Sequence, residues 1–373
     1  MTVTPALHGL DRLIRLRQRW SHLHAGAREA PADEGGLEEI ADFGANPGGL
    51  RMLVHVPPGL GPDAPLVVAL HGCTQTAAGY DRGCGWSVMA DRLGFAVLLP
   101  EQRSANNPKG CFNWFEPEHT RRDAGEVASI RQMVAWMLRR HRLDPRRVFV
   151  TGLSAGGGMG MALLACYPEV FAAGAIIAGL PYRAAASVPQ AFEAMFHPQA
   201  RSAAERAAPV RAASAHAGRW PRLSVWQGGA DRTVAPANAE EILKQWLELH
   251  GLALERPSGS ASADGVTHRL WLGTDGQRLV EAHGIDRLAH GVPLNPLREE
   301  GDAEGRLGQA GPYMLDVGLS STHAILDFWG LAPAPQRAFV VDRHGEAREV
   351  TERPSLAARL LRKALRIAGL RDG

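Results

Sequence analysis

Apolar residues in this chain come in two alternating textures. Short continuous runs recur at Leu50 to Val56, Leu66 to Leu70, Phe95 to Leu99, Val148 to Thr151, Ala175 to Ile177 and Leu223 to Trp226. Runs of that length, rich in Val, Ile and Leu and bounded by turn residues, predict strands buried on both faces. Between them apolar positions fall at helical spacing. Ser87 to Arg92 is one such stretch; Asp123 to His141 carries Val127, Ile130, Val134 and Leu138, and Pro236 to His250 carries Ile242, Leu243, Trp246 and Leu249. Strands at Val266 to Leu272 and near Arg278 to Ala282, then a helix from Ser321 to Trp329, complete the pattern. Strand and helix in alternation predict an α/β protein with a mostly parallel central sheet flanked by helices. The pattern holds from residue 41 to 331.

The two ends read differently. Residues 1–40 hold a basic amphipathic segment, Leu10 to Trp20, and a Gly/Ala/Glu-rich linker ending at Gly35-Gly36. Residues 332–373 open on a Pro/Ala hinge and close on Leu356, Leu360, Leu361, Leu365 and Ile367 alternating with Arg359, Arg362, Lys363 and Arg366, the pattern of a basic amphipathic helix. Such helices either pack on the central domain with their arginines in solvent or contact an anionic or apolar surface, such as a granule or membrane.

The fourth apolar run leads into TGLSAGGGMG, residues 151–160. A phosphate-binding G-x-x-x-x-G-K-[ST] fails for want of a lysine. G-x-G-x-x-G fails because, counting from Gly156 and Gly158, the third glycine position holds Met161. Gly152-Leu153-Ser154-Ala155-Gly156 does fit G-x-S-x-G, the sharp strand-to-helix turn that exposes a nucleophilic serine. Its context agrees: a strand precedes it, and an apolar helix follows from Met159 to Ala165, ending before Pro168.

Composition narrows the partners. The 373 residues are 45% hydrophobic and 21% charged, with a formal net charge of +2. That charge is too small for a nucleic-acid surface. No apolar run reaches the length of a membrane span, and the amino terminus lacks the uninterrupted apolar stretch of a secretory signal. A cytoplasmic location is the expectation. Cys73, Cys84, Cys111 and Cys166 form no C-x-x-C pair, so reduced thiols are the default, and no ligand spacing implies a metal. No cofactor is expected.

A serine hydroxyl needs a general base, and the base needs an orienting acid. In α/β-hydrolases these follow in the order Ser, Asp or Glu, His. Asp231 stands in the loop after the Leu223 run. His268, His283, His290 and His323 all lie downstream. His268 falls inside a strand, His283 ends one, and His323 belongs to the first turn of the last helix. His290 occupies a loop before that helix and is the first choice, with His283 second. The oxyanion needs two backbone N–H donors. Ala155 supplies one; Leu70-His71-Gly72-Cys73-Thr74 supplies the other, with Cys73 ahead of Thr74.

LVVALHGCTQTAAGYD, GFAVLLPEQ, CFNWF, VFVTGLSAGGGM, YPEVFAAGAIIAGLPY, VWQGGADRTV and AHGVPLNP together resemble the polyhydroxybutyrate depolymerase family of esterases, over residues 41 to 330. The resemblance implies an α/β-hydrolase fold, with Ser154 as nucleophile, Asp231 as acid and His290 as base. It also implies a polyhydroxyalkanoate ester substrate, with acetylxylan or feruloyl esters as the alternative. Many family members begin with a signal peptide, and this chain shows none. Trp114 and Thr74 then stand as substrate-binding candidates, although Trp114 reads equally well as a packing residue. Cys73 and Cys111 both follow strands at the reactive edge and would form a structural bridge in an oxidising compartment. A catalytically silent surface-binding protein on the same fold is the rival of a different class. The complete Ser, Asp, His order argues against it.

Overall fold

The computed structural model describes residues 36–296 and 307–332, together with the backbone of two strands further on. The amino-terminal amphipathic segment and the carboxyl-terminal basic helix lie outside the described residues.

A sheet of ten strands forms the centre, with β1 (Glu38–Ile40), β2 (Arg51–His55), β3 (Leu66–Leu70), β4 (Ala96–Glu101), β5 (Val148–Leu153), β6 (Ala173–Ile177), β7 (Arg222–Gly228), β8 (Gly259–Ala263), β9 (Val266–Leu272) and β10 (Arg278–Ile285). Their order across the sheet is β1-β2-β4-β3-β5-β6-β7-β10-β9-β8. From β4 to β10 every pairing is parallel, and antiparallel strands finish both edges. The sequence pattern located the parallel centre because those strands are apolar on both faces. It missed β1 and β8. β8 reads GSASA, an edge strand with a single buried side chain of any size to betray it.

The helices are α1 (Ala77–Cys84), α2 (Trp86–Leu93), α3 (Gly125–His141), α4 (Ala155–Cys166), α5 (Val188–Phe196), α6 (Ala203–Arg211), α7 (Ala237–Leu249) and α8 (Ser321–Trp329). Side chains alternate along each strand, and the two faces of β3 bury against different helices. Leu66, Val68 and Leu70 join a core with Met133 of α3, Met161 of α4 and Trp246 of α7. Val67 and Ala69 join another with Tyr80 of α1, Met89 of α2 and Trp329 of α8. The result is a three-layer α/β/α sandwich. α1 escaped the sequence pattern because AAGYDRGC carries two glycines and a weak apolar stripe. Its start is fixed by Thr76, whose hydroxyl accepts from the Gly79 N–H.

After β10 come two short parallel strands, β11 (Val292–Leu294) and β12 (Met314–Asp316). Beyond α8 a β hairpin, β13 (Ala338–Val341) with β14 (Ala347–Val350), stands in a stretch where the sequence pattern gave no strand. Cys73 and Cys111 are joined in a disulfide, while Cys84 and Cys166 are buried free thiols. The expectation of reduced cysteines is corrected for the first pair: two separate loops bring their Cα atoms to 4.2 Å.

Arg206 of α6 and Glu241 of α7 pair at 2.6 Å with both side chains buried, far along the chain from the serine turn. Arg206→Ala would leave Glu241 buried with a charge partly uncompensated by Lys244. A loss of about 3 kcal/mol is expected, measured by denaturant unfolding of the purified variant.

Candidate active site

Ser154 leaves β5 at φ 57° and ψ −116° and opens α4. A positive φ is costly for serine, of order 1–3 kcal/mol, and is held where surroundings over-determine it. The surroundings are explicit. The Ser154 N–H donates to Ile177 O at the end of β6 (2.9 Å), and its carbonyl accepts from Gly158 (2.9 Å). The ladder continues along the sheet edge: the Ala178 N–H donates to Trp226 O of β7 (2.8 Å) and the Gly229 N–H to Ile285 O of β10 (2.8 Å). The carboxyl ends of β5, β6, β7 and β10 are thereby tied into one rim, where loops of open α/β sheets carry ligands.

Glycine at two places lets the rim close. A Cβ on Gly156 would stand 2.4 Å from Leu70 O and 2.5 Å from His71 O, so the first turn of α4 lies directly on the end of β3. A Cβ on Gly228 would stand 2.2 Å from Leu288 O, so the loop after β7 lies against the loop after β10. The second approach brings Asp231 to His290. Asp231 Oδ2 meets His290 Nδ1 at 2.8 Å, with both residues buried. Asp231 Oδ1 accepts from the N–H groups of Thr233 (2.8 Å) and Val234 (2.9 Å), and Oδ2 also accepts from Gln227 Nε2 (3.2 Å). Those donors fix the carboxylate. Nδ1 of His290 is engaged by it, which leaves Nε2 as the nitrogen with a free lone pair.

The competing histidines are placed elsewhere. His283 lies within β10, which runs to Ile285 and not to Ala282 as the sequence pattern had it, and its ring stacks on Trp226 at 3.7 Å and on His268 at 4.4 Å. Its Nε2 meets Glu281 Oε1 at 3.2 Å, and Glu281 also accepts from Ser224 Oγ at 2.8 Å. His268, Glu281 and His283 bring donor atoms within 4.8 Å of one another. Their imidazoles are stacked at an interplanar angle of 27°, and the Nε2 atoms of His268 and His283 both face the Glu281 carboxylate, at 3.4 Å and 3.2 Å. His323 is the third residue of α8, as its position in the sequence implied.

The loop after β3 is the third part of the rim. The Gly72 N–H donates to Gln75 Oε1 (2.8 Å) and the Thr74 N–H to Lys109 O (2.8 Å). Thr74 is therefore spent as a backbone donor, and among the described residues no acceptor meets the Cys73 N–H. The Ala155 N–H, at the first position of α4, has no helical acceptor. The loop is held from below. The Gln102 N–H donates to His71 Nε2 (3.1 Å), and Gln102 Nε2 donates to Cys111 O (3.1 Å) and to buried Glu126 Oε1 (2.7 Å). Glu126 also accepts from the Asn113 N–H (2.8 Å) and Asn113 Nδ2 (2.7 Å).

Trp114 follows, buried at 7% exposure, its ring lying on Gly158 of α4. It shares an apolar cluster with Cys73, Ala155, Leu180, Met195 and Phe196. Gln227, Gln102 and Glu126 were not singled out in the sequence. They sit beside motif residues, but polar side chains that brace a loop carry no spacing of their own.

The family described as esterase PHB depolymerase matches residues 50–267. The chain is 43% identical to poly(3-hydroxyalkanoate) depolymerase C of Paucimonas lemoignei over 296 residues, 79% of this chain and 70% of that protein. It is 32% identical to acetylxylan esterase A of Aspergillus oryzae over 247 residues, 64% of this chain and 79% of that protein. Among solved structures, acetyl xylan esterase from Aspergillus awamori superposes with a TM-score of 0.67 over 80% of this chain and 100% of that chain, at 24% identity. That likeness establishes the α/β-hydrolase fold.

Two outcomes are expected from this geometry. Gly156→Ala drives a methyl into the carbonyls of Leu70 and His71, so it should cost at least about 1–3 kcal/mol and lower kcat for a soluble ester by about a hundredfold, read by steady-state kinetics beside thermal unfolding. His283→Phe keeps the stack on Trp226 and should retain turnover within about tenfold. Burial lowers the His283 pKa from 6.5 to about 4 against the pull of Glu281. The unfolded chain therefore takes up the proton first, and this histidine's contribution to stability is lost as pH falls from 6.5 towards 4. Tm measured against pH should show a flatter acid slope in His283→Phe.

Proposed function

The chain belongs to the esterase PHB depolymerase family and is a carboxylic ester hydrolase, and from that premise we propose that it cleaves poly(3-hydroxyalkanoate) polymer or oligomers through Ser154, His290 and Asp231. The observation that carries the triad is the 2.8 Å contact of His290 Nδ1 with Asp231 Oδ2, on the rim where Ser154 is held at positive φ.

The reaction proceeds in two halves. Ser154 Oγ attacks the ester carbonyl while His290 Nε2 takes its proton, and Asp231 stabilises the imidazolium through Nδ1. The tetrahedral oxyanion is received by the N–H groups of Cys73 and Ala155. His290 returns the proton to the leaving alkoxide, and the free hydroxyl end of the chain departs. Water, deprotonated by the same nitrogen, then splits the acyl-enzyme into acid and free Ser154.

Two features support a polyester over a carbohydrate ester. Identity is higher to the poly(3-hydroxyalkanoate) depolymerase than to the acetylxylan esterase. The cluster of Trp114, Leu180, Met195 and Phe196 beside Cys73 and Ala155 is apolar, suited to the alkyl branch of a 3-hydroxyacid more than to sugar hydroxyls. Among the described residues no helix is long and apolar enough to cross a membrane. The Cys73–Cys111 disulfide favours work in an oxidising compartment, against the cytoplasmic expectation.

Ser154→Ala and His290→Ala should each lower kcat by roughly a thousandfold or more with the fold intact. Near-normal turnover by either folded variant defeats the triad. Side-by-side assays on hydroxybutyrate oligomers, acetylated xylan and feruloyl esters should give the highest kcat/KM for the oligomers; a preference for acetylated xylan moves the substrate assignment to the carbohydrate class. Thiol alkylation of the unreduced, denatured protein should label Cys84 and Cys166, and reduction should add Cys73 and Cys111 while lowering activity.

A further inference from the structure

His71 opens the strap after β3, and its two ring nitrogens have partners of different kinds. Nδ1 lies 2.7 Å from Gly72 O. Nε2 lies 3.1 Å from the backbone nitrogen of Gln102, whose N–H can only donate. The partner of Nε2 therefore decides the tautomer: Nε2 accepts, and the proton of the neutral ring sits on Nδ1, which donates it to Gly72 O. That carbonyl belongs to the same peptide unit as the Cys73 N–H. The peptide is trans, so the two groups point to opposite sides of it.

The ring is firmly built in. It is 1% exposed and lies against fully buried Phe112, with centroids 4.8 Å apart and planes at 40°. The Gln102 backbone that faces it is held by its own side chain, which donates to Cys111 O and to Glu126 Oε1. The Gly72 N–H donates to Gln75 Oε1 at 2.8 Å, and Gly72 O also receives the Gln75 N–H at a longer 3.4 Å. A rotation of this peptide that turned the Cys73 N–H away would break the bond to His71.

Taking the oxyanion donors of the reading above as given, we propose that His71 is a positioning residue for ester hydrolysis: as the Nδ1–H tautomer it holds and polarises the Gly72–Cys73 peptide, whose N–H receives the oxyanion. An amide whose carbonyl accepts a hydrogen bond donates more strongly through its N–H, and a donor fixed in advance is what a developing oxyanion requires. The ring acts from the carbonyl side of the peptide, opposite the oxyanion.

The two bonds of the ring can be kept one at a time, because an Asn side chain places a donor nitrogen near the position of Nδ1, whereas Gln reaches the position of Nε2. Removing an oxyanion donor outright costs about a hundredfold or more in kcat, and releasing one from its brace should cost less. His71→Gln keeps an acceptor for the Gln102 N–H, and His71→Leu keeps neither bond. Both should lower kcat on a soluble p-nitrophenyl ester by roughly thirtyfold with KM within about twofold. His71→Asn keeps the donor to Gly72 O and should stay within about fivefold of wild type. Affinity for a trifluoromethyl ketone, whose serine adduct carries an oxyanion, should fall in the same order and by the same factors. In wild-type protein with nitrogen-labelled histidine rings, NMR should show His71, assigned by its absence from the His71→Asn spectrum, as the neutral Nδ1–H tautomer.

An Nε2–H tautomer at His71 overturns the inference. So does wild-type kcat in His71→Leu, a rise in KM at constant kcat, or an equal loss in His71→Asn and His71→Leu. A fall in activity that tracks the folded fraction in every variant assigns His71 to the core and overturns it too. The reading it rests on fails separately. If Ser154→Ala and His290→Ala are inactive while His71→Leu behaves as wild type, only the role of His71 falls; normal turnover by those two variants defeats the triad whatever His71 does.

Discussion

The close approach of α4 to the end of β3 is the contact on which the reactive rim depends. No side chain fits between Gly156 and the carbonyls of Leu70 and His71, and so the helix that begins at the serine and the strap that follows β3 lie together. Those two segments carry the Cys73 and Ala155 N–H groups proposed to receive the oxyanion, and a methyl group at position 156 would push them apart. The sequence accepts a cost for this. Each glycine in a helix interior is worse than alanine by about 1 kcal/mol, and α4 carries four of them, at 156, 157, 158 and 160. Burial of the entire helix between the sheet and its neighbours offsets that cost.

A rim made by one helix and several loops needs bracing, and the braces differ in kind according to what they hold. The serine is held by backbone: its own N–H and carbonyl bond into the sheet edge and α4. Asp231 is held by three donors besides His290. The strap, which has no strand or helix of its own, is held by a covalent bond to Cys111 and by His71 and Gln102 above buried Glu126. Local stiffness thus rises where regular structure is absent. That distribution suits electrostatic stabilisation of a developing charge, which works only if donors are already in place when charge appears.

Much of this was legible in the sequence, for a physical reason. A parallel sheet covered on both faces writes itself as continuous apolar runs, so β3, β4, β5, β6 and β7 announce themselves within a residue or two at most ends. G-x-S-x-G is legible because the turn tolerates little else near the serine. Residues that act through their backbone or by cross-chain contact are not. The sequence ranked Cys73 ahead of Thr74 as a donor without access to the bond of the Thr74 N–H to Lys109 O, thirty-five residues away. His290 and His283 differ by seven positions. What distinguishes them is that β10 extends three residues past the expected end at Ala282, which buries His283 under Trp226.

The same contrast bears on how substrate preference and chemistry are divided in this fold. Ser154, Asp231 and His290 all hang from strands of the parallel centre, whose positions are fixed by core packing on both faces. Trp114, Met195 and Phe196, which cluster beside Cys73 and Ala155, come from the loop after β4 and from α5, segments inserted between strands. A family whose relatives are named for polyester and for acetylxylan is consistent with such a division: one sheet edge carrying the proposed triad, beside walls built from separate segments. The disulfide crosses that boundary, because Cys73 belongs to the strap and Cys111 to the loop that ends in Trp114. Through that bond, and through Asn113 on Glu126, the wall nearest the proposed oxyanion site is fixed with the rim, whereas α5 is tied to the segment after β7, where the Ala235 N–H donates to Met195 O at 2.7 Å.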